Sequence, residues 1–164
     1  MATNEDVQKL GELIKGIGIA MLTTADSHGA LHSRPMANQD TDFDGTLWFF
    51  TDAQSGKASE VQRDQHVNLS YANTGDQKYV SVSGRAAIVQ DKAKMKELWS
   101  PILKAWFPKG LEDPNLALLR VEVDKAEYWD SPSSTVTHLI GFAKAIATGK
   151  AYDDEGTDHK KVNL

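Results

Sequence analysis

Thr46-Leu47-Trp48-Phe49-Phe50-Thr51-Asp52-Ala53-Gln54-Ser55-Gly56-Lys57 is the stretch whose reading settles the fold. It follows an Asp44-Gly45 turn signal, and residues 46–51 read as a strand. Leu47-Trp48-Phe49-Phe50 does not alternate; it is apolar on both faces. A strand in a barrel wall normally buries only its inner face, so this one must also be covered on the outside. Residues 52–56 read as a loop, and residues 57–63 as a short helix.

Upstream, Thr3 followed by Glu5 and Asp6 marks a helix start, and Val7, Leu10, Ile14 and Ile17 recur at helical spacing. A helix over residues 4–15 is expected, ended by Gly16 and Gly18. Residues 19–24 suit a buried strand, residues 26–29 a turn, and residues 30–38 a partner strand. Arg34 and Met36 share one face of that strand, Ser33 and Pro35 the other. Proline cannot donate to a ladder, so the strand is expected at an edge or bulged at Pro35. As the next strand along, residues 46–51 are expected to pair with it as a hairpin.

Downstream, residues 67–71 read as a strand. Residues 79–89 alternate, with Val80, Val82, Ala86 and Ile88 inward and Tyr79, Ser81, Ser83 and Arg85 outward. Asp91 caps a helix carrying Met95, Leu98, Trp99, Ile102 and Trp106, which Pro101 kinks or restarts. Residues 116–123 form a strand, Asp124-Lys125 a turn, and a short strand ends at Tyr128-Trp129. Val136, Leu139, Ile140, Ala143 and Ile146 fit a last helix, followed by a polar tail after Gly149. Closely spaced strands with short turns predict a closed or nearly closed β-barrel, with helices covering its openings. We expect one domain over residues 1–164, with an N-terminal helix within residues 1–16 and a polar tail over residues 150–164.

The 164 residues carry a net charge of −5, so no global field favours nucleic acid or an anionic membrane. Any anionic ligand must be held by a few local cations. There is no cysteine, which removes disulfides, thiolate catalysis and cysteine-based metal centres. The N-terminus lacks the pattern of a signal peptide, and no apolar run approaches the roughly 20 residues of a membrane helix. A cytoplasmic protein is expected.

Gly16-Ile17-Gly18 follows a helix and precedes a strand, the reverse of a dinucleotide fingerprint, and the third glycine is absent. The five histidines show no metal spacing; His28 and His32 flank a turn. No serine sits in a nucleophile elbow. Residues 49–57 are more informative. A strand ends in a hydroxyl residue, and a loop supplies Ser55, a glycine and then Lys57 at a helix start. Free N–H groups, the helix dipole and a lysine suit a phosphate. The plainer alternative is that Ser55 caps the helix and Lys57 is solvated. Arg34 is expected to reach the same loop through the hairpin; otherwise it makes a surface salt bridge, for example to Asp52. The four tryptophans read as core or interface, with one or two available to flank a planar cofactor.

Together these residues resemble a known family. They are Arg34-Pro35-Met36, Trp48-Phe49-Phe50-Thr51 with Ser55 and Lys57, Tyr79-Val80-Ser81-Val82-Ser83-Gly84, Leu98-Trp99-Ser100-Pro101, Trp106-Phe107-Pro108-Lys109-Gly110, Leu118-Leu119-Arg120-Val121 and Glu127-Tyr128-Trp129-Asp130. In this order they look like the bacterial general stress protein branch of the pyridoxamine phosphate oxidase-like flavoproteins. The resemblance implies a mainly β fold, a six-stranded antiparallel split β-barrel with flanking helices. It also implies FMN bound in the cleft of a homodimer. By position, Arg34, Thr51, Ser55 and Lys57 match the family's contacts to the FMN phosphate, and Pro35, Met36 and Phe50 match contacts along the flavin. Tyr79 falls where the oxidases have a flavin-contacting glutamine, and Trp129 matches a tryptophan given from the other subunit. On this resemblance, flavin and dimer burial cover the outer face at Trp48 and Phe50.

The true oxidases carry a lysine where this chain has Gln39. They also carry an arginine–histidine pair where it has Ser131-Pro132-Ser133-Ser134-Thr135-Val136. Oxidation of pyridoxine phosphate is therefore not expected. Three readings remain open: an FMN-dependent oxidoreductase acting on an unidentified small molecule, a non-catalytic flavin store or redox sensor, and a split barrel that has exchanged FMN for deazaflavin or haem, against which the hydroxyl-rich phosphate loop argues. No side chain is assigned as catalytic, and no metal is expected.

Overall fold

The computed structural model describes residues 2–131, 135–149 and 158–164, with the backbone alone over 135–141. Helix α1 (Asn4–Lys15) begins in a capping box: Asp6 N–H donates to Thr3 Oγ1 at 3.2 Å, and Thr3 N–H to an Asp6 carboxylate oxygen at 3.1 Å. Strands β1 (Ile19–Ala25), β2 (Leu31–Ala37) and β3 (Thr46–Asp52) follow. Next come helix α2 (Gly56–Arg63), strands β4 (His66–Asn73) and β5 (Lys78–Val89), and helix α3 (Lys92–Leu98). A 3-10 turn at Pro101–Ala105 restarts the chain after Trp99, as Pro101 predicts. Strand β6 (Leu116–Asp130), helix α4 (Thr135–Thr148) and strand β7 (Asp158–Asn163) complete the order.

Six strands form one antiparallel path, β2-β1-β4-β5-β6-β3, and β7 adds to β6. This is the expected mainly β split barrel with flanking helices. Its inner faces meet α1 in one core that contains Leu10, Leu22, Phe49, Leu69, Val82 and Val121. No helix among the described residues is long and apolar enough to cross a membrane.

Three expectations about the strands are corrected. First, β2 and β3 do not form a hairpin: β2 pairs with β1 and β3 with β6, so they are the two ends of the path. Pro35 sits on a true edge, where its missing N–H breaks no ladder. Second, there is no turn at Asp124-Lys125; β6 runs through it as a single strand. Asp124 is the extra residue of a bulge between the pairs Ser83–Lys125 and Gly84–Val123. Third, part of the polar tail is a strand. The first half of β6 is paired by β3, and the half beyond the bulge is paired on by β7, whose Val162 is buried. Lys160 Nζ bonds Asp6 at 2.6 Å and so ties β7 back to α1.

The outer face of β3 is also covered differently from the expectation. Phe50 is 6% exposed and packs in a second cluster with Met95, Leu98, Leu103, Leu116 and Leu118, edge-on to Trp99 at 5.5 Å. The chain's own α3 and 3-10 turn therefore dry this face. Trp48 packs against the same cluster, under the ammonium of Lys94 at 5.3 Å.

Candidate functional site

A cavity of about 380 Å³ lies between the two ends of the strand path. Its wall takes Pro35, Met36 and Ala37 from β2, Phe50 from β3, Lys57 from α2 and Trp106 from the loop after the 3-10 turn. The volume suits a small organic ligand, and the lining is apolar except at Lys57 and Gln39. Because β2 and β3 are both edges, the backbone of β2 borders the cavity with groups that no neighbouring strand uses.

The basic end is built by α2 and the residues opposite it. Ser55 caps α2, its hydroxyl accepting from Ala58 N–H at 3.4 Å, so the first half of the plainer alternative holds; its second half, a solvated Lys57, does not. A hydroxyl that accepts still has its own O–H to donate. Two residues on, Lys57 is half-buried and has no hydrogen bond or ion pair among the described residues. Burial pushes its ammonium below the usual lysine range, and the guanidinium of Arg34 pushes it further. A half-buried cation that faces a second cation, with no direct partner, is an arrangement an anion would relieve.

Arg34 arrives by a route the sequence did not show. Its side chain crosses from edge strand β2 over β1 to α2, donating through Nη1 to the Thr24 hydroxyl and through Nη2 to Glu60 at 2.9 Å. Its ion pair is thus with Glu60, not Asp52. Thr24 is 1% exposed and donates to the same Glu60 oxygen. The Thr24 bond, and then Arg34, hold the Glu60 carboxyl below the usual range.

Of the nine residues expected to form the site, Pro35, Met36, Phe50 and Lys57 line the cavity. Arg34 and Ser55 stand at its basic end. Thr51 adjoins Phe50 on β3 but points to the barrel interior, where its hydroxyl is buried without a partner. Tyr79 and Trp129 are elsewhere. They are cross-strand neighbours on β5 and β6, and Trp129 stacks on His159 of β7 at 5.0 Å. The rung they occupy opens onto the outer sheet face, where β1 leaves Ile19 and Met21 about half exposed. Sequence reasoning missed Ile19, Ala37 and Leu103, which line the cavity, and Glu60. The first three carry no chemical signal. Glu60 stands at the helix position whose side chain points back toward Gly56, and helical spacing alone offered that cue.

Comparison with known proteins adds to this geometry. The family model described as pyridoxamine 5'-phosphate oxidase like matches residues 5–153. The chain belongs to this family. Within reach of the same fold, a putative general stress protein 26 from Jannaschia sp. CCS1 superposes with a TM-score of 0.76 at 23% identity. That match covers 99% of this chain and all of the other. The general stress FMN/FAD binding protein of Xanthomonas citri is 32% identical, with a TM-score of 0.68, over 80% of this chain and 93% of its own. The protein bli-3 of Neurospora crassa is 34% identical over 157 residues, 90% of this chain and 75% of that protein. For a family member, an edge-bounded cavity with a basic end is the place to look for a ligand.

Proposed function

We propose that the protein binds FMN, with the phosphate at Lys57, Arg34 and Ser55 and the ring system in the apolar cavity against Pro35, Met36 and Phe50. The observation that carries this is the half-buried Lys57 ammonium beside Arg34, without an ion pair among the described residues, at one end of a cavity that is apolar apart from Lys57 and Gln39. A phosphate there pairs with the Lys57 ammonium, shares Arg34 with Glu60, and extends the N-terminal interactions of α2. The flavin binding of the Xanthomonas citri relative supports the same reading. When bound, FMN supplies hydride and electron transfer. Among the described residues, the polar side chains of the cavity lining are Lys57 and Gln39, and the part these lining residues play is to hold and orient the cofactor.

The outer sheet face completes the proposal. A second copy packed on Ile19 and Met21 would bury them and bring its own Tyr79 and Trp129 toward the cleft. We assign the holoprotein a cytoplasmic redox role in the stress response, as an FMN-dependent oxidoreductase of an unidentified small molecule. The alternative is a non-catalytic flavin store or redox sensor, in keeping with a lining that among the described residues is apolar except at Lys57 and Gln39.

Absorption spectroscopy and titration with FMN and riboflavin test the binding. FMN should bind at least tenfold more tightly, since hydrogen bonds to charged groups contribute roughly 1.5–3 kcal/mol. Equal affinities would remove the phosphate site. Oxidation of NADH or NADPH by the loaded protein, with an added acceptor, separates the oxidoreductase from the store. Pyridoxine phosphate should not be converted, because Gln39 lines the cavity where the oxidases place a lysine. Of the second departure, residues 132–134 lie outside the described residues. Formation of pyridoxal phosphate in a steady-state assay would refute this.

A further inference from the structure

Resting on the phosphate reading, we propose that Glu60 is a resident counter-ion in the site: it holds Arg34 in place and weakens the hold on phosphate. Glu60 Oε2 accepts from both Arg34 Nη2 and the Thr24 hydroxyl, and Thr24 also accepts from Arg34 Nη1. The three groups form a closed ring of hydrogen bonds spanning β1, β2 and α2. Both charged side chains are mostly covered, at 23% and 17% exposure for Arg34 and Glu60.

This ring has two consequences. Arg34 is fixed before any ligand arrives, so the ordering of a long side chain is not charged against binding. Second, the cradle does not present two cations alone: Glu60 is ion-paired to Arg34, and the charge of Asp52 acts on Lys57 from farther off. An arriving phosphate meets Lys57 unpaired but must share Arg34 with Glu60, whose negative charge repels it. Glu60 therefore acts as a positioning residue that trades affinity for a preformed site.

The two effects separate by substitution. Only Oε2 accepts in the ring, and the carbonyl oxygen of glutamine can take its place, so Glu60→Gln keeps the geometry and removes the charge. Glu60→Ala removes both. The experiment is titration of the full-length wild type and both variants with FMN and with riboflavin. Glu60→Gln should tighten FMN by about tenfold, the effect of removing one like charge at short range in a partly solvated site. Glu60→Ala should bind FMN about fivefold less tightly than Glu60→Gln, because the guanidinium is no longer held. Riboflavin affinity should be the same in all three proteins, which also shows that the variants are folded.

FMN binding to Glu60→Gln that is no tighter than to wild type, with riboflavin unchanged, overturns the counter-ion role. Glu60→Ala as tight as Glu60→Gln overturns the positioning role. A change in riboflavin affinity shows that Glu60 acts on the fold of the cavity instead, and refutes both. Equal affinity of the wild type for FMN and riboflavin defeats the phosphate reading itself, and this proposal with it.

Discussion

Lys57 and Arg34 are both cations at the basic end of the cavity, but the structure gives them opposite effects on stability. Lys57 is half-buried and unpaired, and its ammonium is pushed below the usual range. Folding therefore disfavours its charged form, and the loss is relieved as pH rises toward the lysine range. Arg34 is the counter-ion of a mostly covered carboxylate. Each change to alanine should weaken FMN by about one to two orders of magnitude. Lys57→Ala should leave the melting temperature equal or raised, whereas Arg34→Ala should lower it, because Glu60 and Thr24 lose their donor. Calorimetry without FMN distinguishes the two; a Lys57→Ala protein that melts lower would show that the ammonium has a structural partner.

Asp6 offers a test in acid. Lys160 and the Thr3 N–H hold its carboxyl at about 2, below the ordinary 3.8. A depressed carboxyl stabilises the fold above its unfolded pKa and ceases to do so as pH falls through the folded one. Asp6→Asn should therefore melt lower than wild type at neutral pH, and the difference should shrink between about pH 4 and pH 2. A gap that stays constant over that window would mean Asp6 acts as a neutral cap only.

Strand β6 is the element on which the architecture depends. It pairs with β5 along one edge and with β3 and then β7 along the other, changing partner at the Asp124 bulge. The bulge brings Gly84 against the Glu122 carbonyl so closely that a Cβ there would lie 2.2 Å from the oxygen. The obstructing atom is backbone, so it cannot swing aside. Gly84→Ala should destabilise the protein by about 1–3 kcal/mol in urea unfolding. A variant within error of wild type would show that the ladder can slide at the bulge. Arg85, next to this glycine, is occupied by Asp124 at 3.2 Å and is not a spare cation for a ligand.

The outer sheet face gives the prediction for the assembly. Ile19 and Met21 are about half exposed there, and Leu31 is 73% exposed at the rim. The proposed homodimer should appear in light scattering at micromolar concentration as a particle of twice 18.0 kDa. A stable particle of one chain's mass would exclude a cleft shared between subunits. Replacing Met21 with a charged residue should shift the balance toward single chains, since a charge buried against the partner is costly.

Much of this was readable from local sequence. Thr3 and Asp6 specified the first helix by capping, the alternation from Tyr79 onward specified β5, and Pro35 limited its strand to an edge or a bulge, because each rests on the chemistry of a few neighbouring residues. The phosphate-type signal of Ser55, Gly56 and Lys57 is local for the same reason. Pairing partners are not local. The β2–β3 hairpin was expected because adjacent strands commonly pair, yet β6 supplies a longer apolar edge for β3, and that competition is decided by the whole sheet. The strand in the polar tail was hidden because only Val162 is buried, and its ladder partner lies on β6. The cover over Phe50 was likewise set by α3, more than forty positions away in sequence. The sequence by itself determined which residues carry charge, cap helices and end strands. Tertiary structure alone decided that Arg34 meets Glu60 and that Lys57 has no hydrogen bond or ion pair among the described residues, because partners far apart in the chain are chosen by packing.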